Sequence, residues 1–370
     1  MNRLSAGRFF SLCFITCLLS SCLFASTPHA QRPALVDCLT QPIPYDDVIN
    51  AGLTYMRQSN TVSVQNSPFT ELIAQEYTEL FILKQWYIRQ KCVDFASIIH
   101  NTLTIKFTDE TYYLVINPSI NPRQDNSMTW LINNRFSDYQ LPSTNPSQMQ
   151  PAASKTAILL NPSQYLYGNA HCKPIINMLQ RNDFQVSYYI NSCVNLSVIQ
   201  HKLAANIVYM NTHAGFWDIT GDTKPDAVVI ATGEAWTDET MNQYPFEYNN
   251  SMIVRARVGE KTFVCFTPAL IQHYYQNNTF PGSLIYMATC HATYDDSMAQ
   301  SFLSTGASSY IGWTNHTTFW TNQLVAILAF TLLTRGYTVQ QICTIIRYGG
   351  FLNRRLHSTL TYYGQDDLSI

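Results

Sequence analysis

The strongest constraint on the fold is an alternation of strands and helices that begins near residue 155. Short apolar runs predict strands at Thr156–Leu160, Phe184–Ile190, Ala205–Asn211, Ser283–Ala288 and Ser308–Gly312. Helical spacing of apolar residues predicts helices at Cys172–Asn182, Leu196–Ala204, Met298–Thr305 and Asn322–Thr334. This order predicts an α/β fold with a mostly parallel sheet covered by helices on both faces. Ligands of such sheets bind beyond the carboxyl ends of the strands, so the residues that follow each strand are the candidates for chemistry.

The chain before this alternation predicts a separate and smaller unit. Residues 38–132 combine a long helix that ends near Cys92 with a hairpin of the β-rich runs Leu103–Phe107 and Thr111–Ile116. Residues 133–154 are rich in Pro, Ser, Asn and Gln, which is typical of a linker. The predicted organisation is an N-terminal α+β domain, this linker, and an α/β domain over residues 155–370.

The composition excludes a disordered chain and argues against a nucleic-acid partner. Of the 370 residues, 46% are hydrophobic and 12% are charged, so the chain has ample material for a packed core. Lys and Arg number 22 against 24 Asp and Glu, for a net charge of −2, and no basic block occurs. Nucleic-acid binding needs a basic surface that neutralises phosphates, so no nucleic-acid partner is expected.

The N-terminus reads as an export signal. Two arginines precede the apolar run Phe9–Leu19, which is too short to span a bilayer and has the length of a secretory signal core. The residues Leu19-Ser20-Ser21-Cys22 resemble a bacterial lipobox, in which residues 1–21 are removed and Cys22 is lipidated. This predicts a lipoprotein of the cell envelope, in the periplasm or outer membrane, that is held to the membrane by its lipid. The alternatives are cleavage a few residues later with secretion, and an uncleaved anchor.

Seven cysteines remain in the predicted mature chain after the signal and lipid-bearing positions are set aside: Cys38, Cys92, Cys172, Cys193, Cys265, Cys290 and Cys343. An odd number suits three bridges and one free thiol, although all seven as buried thiols is an equally open reading. Cys172 and Cys193 follow the first two predicted strands, which end at the same edge of the sheet, so we predict a disulfide between them. A second pairing, Cys38 with Cys92, is predicted within the N-terminal domain.

Reactive side chains follow two of the predicted strands. The third strand runs into Thr212-His213-Ala214-Gly215, and the fourth into Thr289-Cys290-His291-Ala292. Adjacent parallel strands lie about 4.8 Å apart, so residues just past their ends can approach each other. A thiol beside an imidazole is an activated nucleophile. The alternative interpretation is an inert buried Cys290 and a His213 that only ends its strand.

These segments resemble the caspase-like cysteine peptidases, which include caspases, metacaspases, legumain, gingipains, clostripain and CHAT-type peptidases. Ile207–His213 is similar to the family's apolar strand that ends in His-Gly, and Leu284–His291 to the strand that ends in the catalytic Cys. Phe302–Trp313 resembles the segment after that Cys in gingipain-like and CHAT-type members, and Tyr363–Ile370 resembles the end of some gingipain relatives. The resemblance covers residues 156–370 and implies a three-layer α/β/α sandwich.

The resemblance implies an exported cysteine endopeptidase that acts on a peptide or protein substrate. Cys290 would be the nucleophile, and His213 would protonate the leaving amine. The oxyanion would be held by the backbone N–H groups of Cys290 and Ala214. The sequence departs from the family here, because Ala214 stands where the family has glycine and Gly215 comes one place later. A catalytically inactive member that acts as a surface binding module is therefore the alternative.

The substrate preference is less defined. Relatives that cut after Lys or Arg carry an acidic residue close to the Cys, and the preceding residues here are Ala288 and Thr289. Asp295 and Asp296 are candidates for a pocket that attracts a basic side chain, with helix capping as the alternative interpretation. Trp313 is a candidate pocket wall, or equally a core aromatic residue.

Other catalytic patterns add little. His291 is expected to point away from Cys290 and is given no catalytic role. Asp218, Asp222 and Glu234 are all open as the residue that orients His213. The sequence has no serine-hydrolase elbow, no dinucleotide or phosphate-binding glycine loop and no zincin motif. No cofactor or metal is predicted.

Overall fold

The structure is a computed structural model of the chain. It describes residues 46–59, 69–117, 155–276, 278–280, 282–348 and 358–370. The predicted signal peptide 1–21, Cys22, Cys38 and the predicted linker 133–154 lie outside these residues.

The described residues form the following helices and strands. The helices are α1 (Asp46–Ser59), α2 (Phe69–Tyr87), α3 (Gln164–Tyr167), α4 (Cys172–Arg181), α5 (Leu196–His201), α6 (Thr240–Gln243), α7 (Pro245–Asn249), α8 (Pro268–Tyr274), α9 (Ser297–Ser304), α10 (Phe319–Leu333) and α11 (Val339–Tyr348). The strands are β1 (Val93–Ile99), β2 (Thr102–Phe107), β3 (Tyr112–Ile116), β4 (Thr156–Asn161), β5 (Gln185–Ile190), β6 (Ile207–Asn211), β7 (Ala214–Trp217), β8 (Ala227–Ala235), β9 (Ile253–Val258), β10 (Lys261–Phe266), β11 (Leu284–Ala288), β12 (Ser309–Trp313) and β13 (Leu360–Gly364). The predicted α/β class is confirmed.

A six-stranded sheet contains all five predicted strands, in the order β13-β12-β11-β6-β4-β5. Its strands from β12 to β5 are parallel, and β13 is an antiparallel edge strand. Strands β6, β11 and β12 are buried along their whole length. Near-continuous apolar runs are what a parallel sheet covered on both faces requires, which is why the sequence pattern located these strands. The pattern missed β13.

Helices cover both faces of this sheet, with alternate residues of each strand pointing to opposite sides. Leu159, Tyr209 and Tyr286 belong to the buried cluster that contains residues of α4, α10 and α11. Leu160 and Met210 belong to the cluster that contains residues of α5, α8, α9 and a second sheet. The sheet is therefore the middle layer of the fold.

The second sheet has seven strands in the order β1-β2-β3-β9-β10-β8-β7, so it crosses the predicted domain boundary. Tyr113 of β3 lies opposite Arg255 of β9, and the two strands are parallel. The prediction that residues 38–132 form a separate domain is therefore wrong for the strands of this segment. Leu114 and Ile116 pack with β8, β9 and β10, while Val115 packs with α1 and α2. Because β3 is buried on both faces, its free edge needs a hydrogen-bonding partner from the rest of the chain.

The outer strand β7 of this sheet also contacts β2 through side chains. The N–H of Phe216 donates to Thr102 Oγ1 at 3.0 Å, and Asn101 Nδ2 donates to the carbonyl oxygen of Ala214 at 3.1 Å. Gly215 lies at this approach, and a Cβ there would stand 2.4 Å from Thr102 Oγ1. A glycine is needed at this position because the two strands are too close for a side chain.

We expect Gly215→Ala to lower the free energy of unfolding by about 1–3 kcal/mol, the usual cost of overpacking a core. Urea denaturation measures this change. Thr102→Ala removes the atom nearest to the new methyl group, so Gly215→Ala should cost less in that background. Equal losses in both backgrounds would show that the contact with β2 does not explain the effect.

Candidate active site

The two predicted catalytic residues follow neighbouring parallel strands. Asn211 at the end of β6 lies opposite Ala288 at the end of β11. His213 and Cys290 each come two residues later, just past the carboxyl ends of these two neighbouring strands. Both are buried, with 5% of His213 and 2% of Cys290 exposed. The predicted juxtaposition of the two strand ends is what the sheet topology provides.

The sulfur of Cys290 contacts the backbone that leads into α10. Its Sγ accepts a hydrogen bond from the N–H of Thr317 at 3.3 Å, and its S–H donates to the carbonyl oxygen of Thr317 at 3.6 Å. Helix α10 begins two residues later, at Phe319. A donated N–H and a nearby helix N-terminus both favour negative charge on a sulfur. The sulfur is therefore held between the N–H and the carbonyl oxygen of one residue, Thr317.

Sequence reasoning missed this contact because it started the helix too late. The predicted start was Asn322, whereas the helix begins at Phe319 with Thr318 as its N-cap. The side chain of Thr318 accepts a hydrogen bond from the N–H of Thr321 at 3.1 Å. A threonine directly before an apolar run was the capping signal that could have identified the start.

His213 is held in a neutral state by its surroundings. Burial lowers the pKa of its imidazole to about 4, so the ring is uncharged at pH 7. The carbonyl oxygen of His213 accepts from the N–H of Ala231 at 2.9 Å, and Thr212 Oγ1 donates to the carbonyl oxygen of Ala231 at 2.7 Å. These bonds fix the main chain of His213 against β8.

The three carboxylates considered as partners of His213 all bind other groups. Asp218 accepts from two backbone N–H groups of its own loop, and Asp222 accepts from one. Glu234 accepts from the N–H of Leu196 and from the hydroxyl of Tyr244. Each of the three carboxylates therefore has hydrogen-bond donors other than His213.

Ala214, the departure from the family pattern, begins β7 without strain. It lies opposite Ile230 of β8. The bond from the Ala231 N–H to the His213 oxygen makes this a non-hydrogen-bonded pair, so the N–H and C=O of Ala214 point away from β8. The φ of Ala214 is not positive, so alanine is tolerated. The N–H of Ala214 is thus directed out of the β7–β8 ladder, as an oxyanion donor would have to be.

A cluster of histidine and aromatic rings lies beside Cys290. The ring of His291 is 4.5 Å from that of His316 and 5.3 Å from that of His100, measured between centroids. Phe216 and Tyr294 pack against the same rings. Burial and the neighbouring histidines lower the pKa of His291 well below its ordinary value. Since His100 lies between β1 and β2, the N-terminal strands reach the candidate site, which the sequence did not reveal.

The predicted substrate-pocket residues have other roles in the structure. Asp295 accepts hydrogen bonds from the N–H and the hydroxyl of Ser297 at 2.9 and 2.6 Å, and Asp296 is the N-cap residue of α9. Trp313 is fully buried, and its indole N–H donates to Asn322 Oδ1 at 2.8 Å. Asp295 therefore binds the first residue of α9, whereas the side chain of Asp296 makes no capping hydrogen bond. The ring of Trp313 lies in the core under α10, which is the alternative position that the sequence left open for it.

The predicted disulfide between Cys172 and Cys193 is also wrong, since both are free thiols. Cys172 is buried in the first turn of α4, with its Sγ 3.2 Å from His171 Nε2. Cys193 is exposed at the end of a short 3₁₀ turn. The strands before them share one edge, but Cys172 packs into the helix layer while Cys193 stays at the surface. Cys92 is disulfide-bonded; its partner lies outside the described residues, as does Cys38.

The fold and the site define an α/β protein that carries a cysteine and a histidine in register at the ends of two parallel strands. A scan against protein-family models finds no matching family, and a search of curated proteins finds no match. No helix in the described part of the chain is long and apolar enough to cross a bilayer. Within the same residues, no group of three or more His, Cys, Asp or Glu side chains could hold a metal ion.

Proposed function

We propose that this protein is a cysteine endopeptidase of the caspase-like superfamily, with Cys290 as the nucleophile and His213 as its acid–base partner. The observation that carries the proposal is the register of β6 and β11, in which Asn211 lies opposite Ala288. His213 and Cys290 each follow two residues after these positions. The contact of the Cys290 sulfur with the Thr317 N–H, at the start of α10, adds independent support.

The proposed reaction uses these groups in sequence. The thiol proton of Cys290 passes to the neutral imidazole of His213, and the sulfur attacks the carbonyl carbon of the scissile peptide bond. The oxyanion that forms is held by the N–H groups of Cys290 and Ala214. His213 then donates its proton to the leaving amine as the C–N bond breaks. Water hydrolyses the remaining thioester, which restores the thiol and releases the carboxylate product.

Substrate access requires a local movement. Only 2% of Cys290 is exposed, and the contact with Thr317 places the loop between β12 and α10 against the sulfur. A substrate carbonyl must displace part of this loop to reach the thiol. Loops that open and close over a site are a common means of excluding water from a reaction.

The second candidate function is a catalytically silent protein that binds a partner through the same fold. The burial of both reactive residues favours it, because a sulfur that no substrate reaches has no catalytic use. Fold by itself does not distinguish the two functions, since inactive and active proteins share architectures.

Alkylation with iodoacetamide at pH 7 separates these two functions. Exposed Cys193 is first replaced by Ser, which removes the most accessible described thiol. A peptidase requires Cys290 to be alkylated ahead of the buried thiols Cys172 and Cys343, the pKa of each of which burial raises to about 12. Peptide mapping by mass spectrometry identifies the labelled residue, and the same preparation is assayed on a fluorogenic peptide library.

The matched control is Cys290→Ala in the same Cys193→Ser background. It is expected to lose both the selective label and all peptide hydrolysis. Labelling of Cys290 at the rate of Cys172 and Cys343, together with no hydrolysis, would refute the peptidase and favour the silent binding protein.

Export and lipidation at Cys22 remain part of the proposal, with the membrane reached through the lipid and a peptide or protein as substrate. The support is the signal-like segment 1–21 and its lipobox, which lie outside the described residues. A preference for Lys or Arg before the cleaved bond has little support, because the carboxylate of Asp295 is used by Ser297.

A further inference from the structure

A buried asparagine on α10 joins the two strand ends that precede the reactive residues. Asn322 is 3% exposed. Its Nδ2 donates to Asn211 Oδ1 at 3.0 Å and to the carbonyl oxygen of Ala288 at 2.7 Å. Its Oδ1 accepts from the indole N–H of Trp313 at 2.8 Å. Both donors and the acceptor of this amide are therefore used, and each bond reaches a different strand.

The bonds of Asn322 belong to a longer chain across the sheet. Asn211 Nδ2 donates to Asn161 Oδ1 at 3.2 Å, and Asn161 Nδ2 donates to the carbonyl oxygen of Gly168 at 3.1 Å. In this series of hydrogen bonds, each amide donates to the next, from Asn322 towards Gly168. The orientation of each amide is therefore set by its neighbours. A fully satisfied buried network of this kind is rigid, because any rotation leaves a buried polar group unpaired.

The position of this network is specific to the candidate site. Asn211 precedes His213 by two residues, and Ala288 precedes Cys290 by two residues. Asn322 also belongs to the helix whose preceding loop contacts the Cys290 sulfur through Thr317. Asn322 thus connects three parts of the candidate site: the strand before His213, the strand before Cys290, and the helix whose preceding loop donates a hydrogen bond to the Cys290 sulfur.

We infer that Asn322 is a positioning residue that sets the relative placement of Cys290 and His213. It does not touch substrate, and it acts through the ends of β6 and β11. The inference rests on the proposed peptidase function. A small displacement of one reactive group can cost a factor of about 10² in rate, so loss of this amide should affect turnover more than substrate affinity.

The test compares Asn322→Ala with Gln323→Ala. Gln323 is the next residue of α10, is 2% exposed, and contacts His171 Nδ1 at 2.6 Å. It therefore matches Asn322 in burial and in loss of a side-chain amide contact without a bond to β6 or β11. Measured quantities are kcat and KM on the best fluorogenic peptide, the pH profile of Cys290 alkylation, and the urea midpoint.

We expect Asn322→Ala to lower kcat by about 10²-fold with KM within a factor of two, and to shift the pH profile of Cys290 alkylation. Gln323→Ala should lose a similar amount of stability and keep the wild-type kcat and profile. Asn211→Ala removes the bond from Asn322 to the His213 strand and the bond to Asn161, and it keeps the bond from Asn322 to Ala288. It provides a second variant should Asn322→Ala not fold, and it should also lower kcat.

Three outcomes would overturn the inference. An Asn322→Ala kcat within twofold of wild type would show that the amide is not needed for placement. An equal decrease of kcat in Asn322→Ala and Gln323→Ala would show that the decrease comes from a general loss of stability. Wild-type protein with neither hydrolysis nor selective Cys290 labelling would remove the proposed function and this inference together, whereas an active wild type with unaffected variants removes the inference alone.

Discussion

Replacing His213 with alanine is expected to slow peptide hydrolysis by about 10²–10⁴-fold, the range of general acid–base catalysis. The physical reason is that no group then accepts the thiol proton or protonates the leaving amine. Cys290→Ala should abolish hydrolysis, because the bond-forming atom is gone. The double variant should be no worse than Cys290→Ala alone, since residues that act as a unit have non-additive effects. Values of kcat/KM for all three variants make the comparison.

The control for this prediction is His273→Ala. His273 is exposed at the end of α8, so its loss is expected to leave hydrolysis unchanged. Urea denaturation of each variant separates a lost catalytic group from an unfolded protein. A His213→Ala enzyme that retains wild-type kcat/KM while folded would contradict its assignment as the acid–base residue.

A loss of stability in mild acid is the second large effect that we expect. Burial lowers the pKa of His171 to about 3 and that of His213 to about 4, and the pKa of His291 and of His316 is lowered in the same direction. Below pH 6.5, the ordinary pKa of histidine, these histidines are protonated in the unfolded chain and stay neutral in the folded protein. The free energy of unfolding therefore falls as the pH drops from about 6.5 towards 4, and is constant above about pH 7.5.

The size of this effect follows from the pKa differences. One pKa unit corresponds to about 1.4 kcal/mol, so His171 and His213 each remove roughly 3 kcal/mol or more at pH 4. The free energy of unfolding of a typical domain is only about 5–15 kcal/mol. We therefore expect cooperative unfolding near pH 5. Urea denaturation at pH 7.5, 6.5, 5.5 and 4.5 measures the slope.

Single histidine substitutions test the cause of the acid sensitivity. His171→Gln is expected to make the dependence on pH shallower by about one proton between pH 6.5 and 4.5. His273→Gln is the control for the loss of a histidine at an exposed position. An unchanged slope in His171→Gln would show that His171 does not contribute to the acid loss.

The parallel sheet was predictable, as was the position of His213 and Cys290 just past the ends of two neighbouring strands, whereas the second sheet was not. Strands such as Ile207–Asn211 and Leu284–Ala288 are continuous apolar runs with turn-forming residues near them, which is a local signal. The partner of β3 is β9, far along the chain, and nothing local in Tyr112–Ile116 identifies that strand. A hairpin pattern predicts pairing within the hairpin and leaves the outer edge of the hairpin unassigned.

For the cysteines too, the sequence predicted the position in the sheet but not the burial of the side chains. Sequence placed Cys172 and Cys193 near one edge of the sheet, and strand order agrees because β4 and β5 are neighbours. It did not predict that Cys172 is buried against His171 while Cys193 is exposed. Burial of a single side chain depends on how a helix rotates onto the sheet, which side-chain packing decides.

By itself, the sequence determined that this chain is an α/β protein and that a histidine and a cysteine end two of its parallel strands. Only the tertiary structure decided that β1–β3 complete a second sheet, that the backbone before α10 contacts the sulfur, and that Asn322 joins the two strand ends. Periodicity and strand ends are encoded within a few neighbouring residues. Edge pairing, helix docking and buried hydrogen bonds join residues far apart in the chain, and so they are set only when the whole protein packs.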